Sequence, residues 1–207
     1  MLSLNARGLR SLEKRKSLLI WLQKQNADII FIQETYSTKD IENIWRCQWK
    51  GSIYFAHGSN RSCGVLILVK DSLEFDLKSI LADDNGRYIL LNASVQGCNY
   101  FFGNIYAPNK VREQCSFFEV FHRSLFEKGI ITLEDLVSES NDLIVKQSTM
   151  VGEMVQNSQS LYSFKFNAVI VIHEYIYSHS TTELTFKKYI YLHLTAYFLF
   201  TIIDTHI

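Results

Sequence analysis

The apolar positions of this chain follow strand and helix periods in turn over residues 1–128, and lose clear punctuation after that. Met1–Asn5 is a short apolar strand. A helix is predicted from Ser11, as N-cap, to about Gln25, because Leu12, Leu19, Ile20 and Leu22 form one apolar stripe. Lys14, Arg15 and Lys16 then fall on a solvated face. Asp28–Gln33 is a continuous apolar run, the pattern of a strand buried on both faces. A loop and short helix over Ser37–Trp45 follow, then a strand and turn over Gly51–Gly58. A polar loop at Ser59–Gly64 leads into a buried strand at Val65–Val69. Leu73–Leu81 is a further strand, and Asp83-Asp84-Asn85-Gly86 is a hairpin turn. Arg87–Ala93 and Tyr100–Tyr106 are expected to pair across the turn at Gln96–Asn99. Pro108, the only proline, ends the second of these strands. Phe117, Val120, Phe121, Leu125 and Phe126 predict an amphipathic helix from Val111 to about Lys128.

Residues 130–207 contain one glycine and no proline. A helix over Leu133–Val155 is the expectation there. Beyond it, Ala168–Ile172 and Tyr189–Ile203 are rich in aromatic and β-branched residues. The last of these runs has 15 residues and includes His193, fewer than the roughly 20 that a spanning helix requires, so no membrane association is expected.

In the opening segment, two strands joined by a helix carry Asn5 and Glu34 at their ends. If the strands are parallel, both side chains arrive at one end of the sheet. An amide and a carboxylate meeting there suit a hard cation such as Mg2+. Taken alone, an asparagine ahead of a glycine is turn chemistry, and a glutamate beyond a strand is a solvated loop residue. A tyrosine at a strand end, such as Tyr106, more often caps a core than acts on substrate.

Three runs change that balance. They are Ser3-Leu4-Asn5-Ala6-Arg7-Gly8-Leu9, Asp28-Ile29-Ile30-Phe31-Ile32-Gln33-Glu34-Thr35 and Asn104-Ile105-Tyr106-Ala107-Pro108-Asn109. Together they resemble the endonuclease/exonuclease/phosphatase superfamily, most of all the endonuclease domain of LINE-type retrotransposons. The likeness covers about residues 1–128 and leaves 129–207 as a divergent tail. It implies an α+β fold: a partial two-layer β-sandwich flanked by helices, DNase I-like, with an unmatched C-terminal tail. It also implies a Mg2+-dependent DNA endonuclease, with Glu34 as principal metal ligand and Asn5 beside it. Tyr106 would contact the scissile phosphate, and Asn109 would order the same substrate-binding loop.

Two family motifs are missing. Where a Gly-Asp-Phe-Asn segment should follow the second long helix, the chain reads Gly129-Ile130-Ile131-Thr132-Leu133-Glu134-Asp135. The family's closing Ser-Asp-His is also missing; the nearest string is Asp204-Thr205-His206, with the wrong spacing. Half of a nuclease site is therefore expected, with hydrolysis impaired or lost. The alternatives are a non-catalytic nucleic-acid-binding remnant or an inert truncated product. A small-molecule phosphatase is a weaker alternative.

The formal net charge is zero, but the halves differ. Residues 1–129 carry 17 Lys+Arg against 13 Asp+Glu, and residues 130–207 carry 4 against 8. The first part can meet a polyanion; nothing points to a protein partner. Cys47, Cys63, Cys98 and Cys115 lack metal-site spacing and are expected to be reduced, mostly buried thiols. With no apolar leader run in residues 1–10, the expectation is an intracellular protein, nuclear or cytoplasmic and not secreted.

Overall fold

The computed structural model describes residues 1–129 throughout, and residues 165–180 and 183–197 as strands. The expected helix at 133–155 lies outside the described residues. Two compact units are present. One comprises Met1–Tyr106 with Asn167–Thr195, the other Ala107–Phe166 with Ala196–Ile207.

The first unit holds two sheets. One has the order β1-β2-β4-β3, from Leu2–Asn5 (β1), Ile29–Gln33 (β2), Gly51–Ala56 (β3) and Val65–Lys70 (β4). β1 and β2 are parallel, and α1 (Leu12–Gln23) is the crossover between them. β4 pairs antiparallel with both β2 and β3. The other sheet has the order β5-β6-β7-β8-β9. Its strands are Phe75–Ala82 (β5), Tyr88–Val95 (β6), Cys98–Tyr106 (β7), Lys165–Ser180 (β8) and Glu183–Tyr197 (β9). The turns at Asp83–Arg87 and Gln96–Gly97 close the two expected hairpins, Ala82 opposing Ile89 and Val95 opposing Cys98. β8 continues the sheet, with Tyr106 opposite Asn167.

The apolar runs of β2 and β4 serve two cores at once. Ile29, Phe31, Val65, Ile67 and Val69 meet Ile89, Leu91, Ala93 and Phe102 of the other sheet. The intervening Ile30, Ile32, Leu66 and Leu68 point the opposite way, onto Leu19, Leu22, Trp45 and Trp49. Successive strand side chains alternate faces, so a strand covered on both sides must be apolar at every position. Each buried Val, Leu, Ile or Phe among them contributes roughly 1.5–3 kcal/mol by leaving water. The architecture is the expected α+β one, with mixed sheets and a few helices.

Three expectations are corrected. Leu12 and Ile20 lie on the open side of α1, exposed by 44% and 57%, whereas Arg15 is buried. Arg15 donates from Nη1 to the Leu9 carbonyl (3.0 Å) and from Nε to Gln48 Oε1 (2.9 Å), with its guanidinium over the Trp45 ring. Burial pushes its pKa below the ordinary range. Its long stem and planar fork let it cross an apolar layer and still satisfy its donors, so a basic triplet need not lie on one solvated face. Cys47 and Cys98 are exposed free thiols, because each sits on the open face or end of its element; Cys63 is buried.

In the second unit, α3 (Val111–Glu127) has the predicted extent. Phe121 and Leu125 are buried, but Val120 and Phe126 are about half exposed, so the buried stripe is narrower than the apolar one. Among the described residues no helix is long and apolar enough to cross a membrane.

Candidate active site

Glu34 follows directly on β2, in the left-handed region at φ 52°, and Tyr36 repeats this at φ 54°. Such backbone is costly for residues with a Cβ and persists only where its surroundings over-determine it. They do so here from two sides. The β1–α1 loop donates Gly8 N to the Glu34 carbonyl (2.7 Å) and Leu9 N to the Thr35 carbonyl (2.9 Å). The β3–β4 loop accepts from Thr35 N at the Gly64 carbonyl (2.9 Å) and from Tyr36 N at the Cys63 carbonyl (3.0 Å). Gly64, at φ 83°, is needed in that second clamp, since a Cβ there would strike Thr35 Oγ1.

Asn5 ends β1 directly opposite Gln33, one residue before Glu34. The parallel register thus delivers both to one edge of the sheet, as the strand order predicted. Asn5 Oδ1 accepts the Arg7 backbone N–H (3.0 Å), which shapes the loop behind it. Glu34 is 1% exposed and not a solvated loop residue. Burial, and then the nearby negative charge of Glu34, push the Tyr36 phenol above its ordinary range.

Tyr106 reaches the same edge from the other sheet. Asn104, two residues before it, is fully buried and donates Nδ2 to the carbonyls of Ile32 (3.1 Å) and Leu66 (2.8 Å). Its Oδ1 accepts from Gln33 Nε2 (2.6 Å). The end of β7 is thereby fixed over the ends of β2 and β4. Tyr106 itself packs in the core between the sheets, 6% exposed, with the Arg87 guanidinium over its ring at 5.5 Å. Its backbone N–H donates to the Arg87 carbonyl (2.7 Å). Asn109 belongs to the second unit and is exposed; the preceding Pro108 carbonyl accepts from Gln114 Nε2 (2.8 Å).

A polar chain runs behind the Glu34 loop. Thr35 Oγ1 donates to Ser37 Oγ (3.0 Å), Ser37 meets His57 Nδ1 (3.2 Å), and His57 Nε2 lies 2.6 Å from Glu42 Oε1. The hydrogen bond to His57 is the main reason that the Glu42 carboxyl is held below its ordinary range.

Sequence reasoning named Asn5, Glu34, Tyr106 and Asn109 as candidates, but not the Gln33–Asn104 bridge, Tyr36 or His57. A signal for the bridge existed: Gln33 and Asn104 are the polar interruptions of two otherwise apolar runs. Tyr36 and His57 carry no comparable mark.

No group of three or more His, Cys, Asp or Glu is gathered among the described residues. One carboxylate beside one amide oxygen is nonetheless a donor set that Mg2+ accepts. This ion keeps several waters and is held by one or two carboxylates plus substrate phosphates, not by an all-protein cage.

A curated relative is the Transposon TX1 uncharacterized 149 kDa protein of Xenopus laevis, 33% identical over 117 residues. That alignment covers 56% of this chain but only 9% of the relative. The model of the Endonuclease/Exonuclease/phosphatase family matches residues 2–143, well over half of the sequence and somewhat beyond residue 128. The chain belongs to the endonuclease/exonuclease/phosphatase family.

Proposed function

We propose that this chain is a retrotransposon-derived, Mg2+-dependent DNA endonuclease domain whose hydrolytic step is impaired. The observation that supports it best is the convergence of Asn5, Glu34 and Tyr106 on one edge of the sandwich, with Glu34 held in a strained, doubly clamped loop. Family membership and the likeness to a transposon protein point the same way.

Glu34 and Asn5 would hold the ion, and the Tyr106 phenol would meet the phosphate. The chemistry that Mg2+ supplies when bound is polarisation of a phosphoryl oxygen and offset of charge on the leaving oxygen. The impairment follows from the stretch after α3, where Gly129-Ile130-Ile131-Thr132 stands in place of Gly-Asp-Phe-Asn. Without that aspartate and asparagine, the nucleophile and the transition state lose their positioning groups.

Nicking of supercoiled plasmid in Mg2+, beside Glu34→Ala and EDTA controls, tests this. The expected result is slow nicking that both controls abolish. Nicking that survives both would overturn the assignment of Glu34. A second function, DNA binding without cleavage, is favoured by the 17-to-13 basic excess of residues 1–129. It is the outcome if the folded protein binds DNA with a steep salt dependence and nicks no faster than Glu34→Ala.

A further inference from the structure

Resting on the reading of Glu34 as metal ligand, we infer that His57 is a positioning residue for that carboxylate. Held in one tautomer between Ser37 and Glu42, it orders Ser37 and Thr35 and so fixes the turn that presents Glu34 to the ion.

The direction of this polar line follows from its partners. Thr35 Oγ1 accepts the Ser37 backbone N–H (3.3 Å) and gives its own proton to Ser37 Oγ (3.0 Å). The Ser37 hydroxyl then has its proton left for His57 Nδ1 (3.2 Å). An imidazole that accepts at Nδ1 carries its proton on Nε2, and Nε2 faces Glu42 Oε1 at 2.6 Å. The other Glu42 oxygen accepts from Arg46 Nη2 (3.3 Å), so the carboxylate is held from both sides. The ring is fixed by stacking on Phe55, with centroids 5.0 Å apart. The His57 carbonyl lies against Gly86, where a Cβ would strike it.

The near end of the line meets the metal ligand. Thr35 stands between Glu34 and Tyr36, both in the left-handed backbone that residues with a Cβ adopt at a cost. The clamps at Gly8–Leu9 and Cys63–Gly64 hold the main chain there, and the polar line holds the side chain between them. Thr35 and Ser37 are fully buried, so water cannot replace a hydrogen bond that is lost. A serine, a histidine and a glutamate in line are also the parts of a nucleophilic triad. Because Ser37 is buried, no substrate reaches its Oγ, and the line acts through the turn alone.

The test is a Mg2+ titration of the metal-free full chain, read by calorimetry and by nitrogen NMR of the histidine rings. The His57 signals are assigned by their loss in His57→Gln. Wild type is compared with Ser37→Ala, Glu42→Ala, Glu42→Gln and Glu34→Gln. Before metal is added, His57 should show the Nε2–H tautomer. Coupling between two sites is reciprocal, so binding at Glu34 should shift the Nδ1 signal in step with the calorimetric one. Ser37→Ala cuts the line while leaving the ring in place, and should abolish that shift. It should also weaken Mg2+ binding about tenfold, the lower end for a lost outer partner of a metal ligand. Glu42→Ala cuts the line at its partly exposed far end and should weaken binding in the same direction. Glu42→Gln still accepts from Nε2 and should keep most of the affinity. A merely structural role would move stability, but neither the metal-induced shift nor this rescue. If wild type binds Mg2+ through Glu34 and Ser37→Ala leaves affinity and shift unchanged, the role of His57 is overturned while the metal site stands. Equal affinities for Glu, Gln and Ala at position 42 would overturn it as well. If wild type binds no Mg2+ that Glu34→Gln removes, the metal reading itself fails and this inference with it.

Discussion

Replacing Asn104 with alanine should cost about 3–5 kcal/mol, a large share of the 5–15 kcal/mol that stabilises an ordinary domain. The amide is fully buried and makes three hydrogen bonds, two as donor and one as acceptor. Its orientation is fixed, because only the NH2 group can face two carbonyl oxygens. Each hydrogen bond is worth about 1 kcal/mol net, and a buried group left unpaired costs roughly 1–3 kcal/mol. Gln33 Nε2 keeps its second bond, to Ser3 Oγ at 3.1 Å, which moderates the loss on that side. Urea denaturation followed by tryptophan fluorescence measures the difference; with a slope of about 2 kcal/mol per molar, the midpoint should fall by roughly 1.5–2.5 M. Mg2+ binding should weaken as well, since the bridge anchors Gln33, the residue next to Glu34. A loss below about 1 kcal/mol, the value of a single ordinary hydrogen bond, would refute the idea that this amide locks the two sheets together.

Gly64→Ala should destabilise by more than Gly97→Ala, although the two glycines have nearly equal φ values of 83° and 82°. The backbone term of roughly 1–2 kcal/mol is common to both, and a Cβ meets Thr35 only at position 64; equal urea midpoints would remove the second clamp on the Glu34 loop. Glu42 contributes pH-dependent stability. Its carboxyl is held below its ordinary 4.5 chiefly by the hydrogen bond from His57. The unfolded chain therefore binds that proton first, and the stabilisation is present above about pH 4.5 and lost as pH falls through the depressed folded value. In urea midpoints across an acid series, wild type should exceed Glu42→Gln near neutrality and converge with it in acid. A constant gap at every pH would show that the pair acts through packing and not through charge.

The element pattern was legible in the chain because local physics writes it there. Ile29–Gln33 and Val65–Lys70 are apolar at nearly every position because both faces are covered. Ser11 accepts from Lys14 N as an N-cap should, and Asp83–Gly86 folds as its turn chemistry requires. From those elements the arrival of Asn5 and Glu34 at one end of the sheet followed, since parallel strands joined by a helix end on the same side. What the chain could not disclose was long-range. Arg15 looks like its neighbours Lys14 and Lys16, and only Trp45, Gln48 and the Leu9 carbonyl, brought together by tertiary packing, make it a buried residue. Asn104 finds its partners 38 to 72 positions away, so its role depends on how the two sheets stack. The left-handed turn of residues 34–36 is likewise imposed by loops at Gly8 and at Cys63–Gly64. Periodicity tells which face of an element is buried; which polar atoms meet beneath that face is settled only by the packing of distant segments.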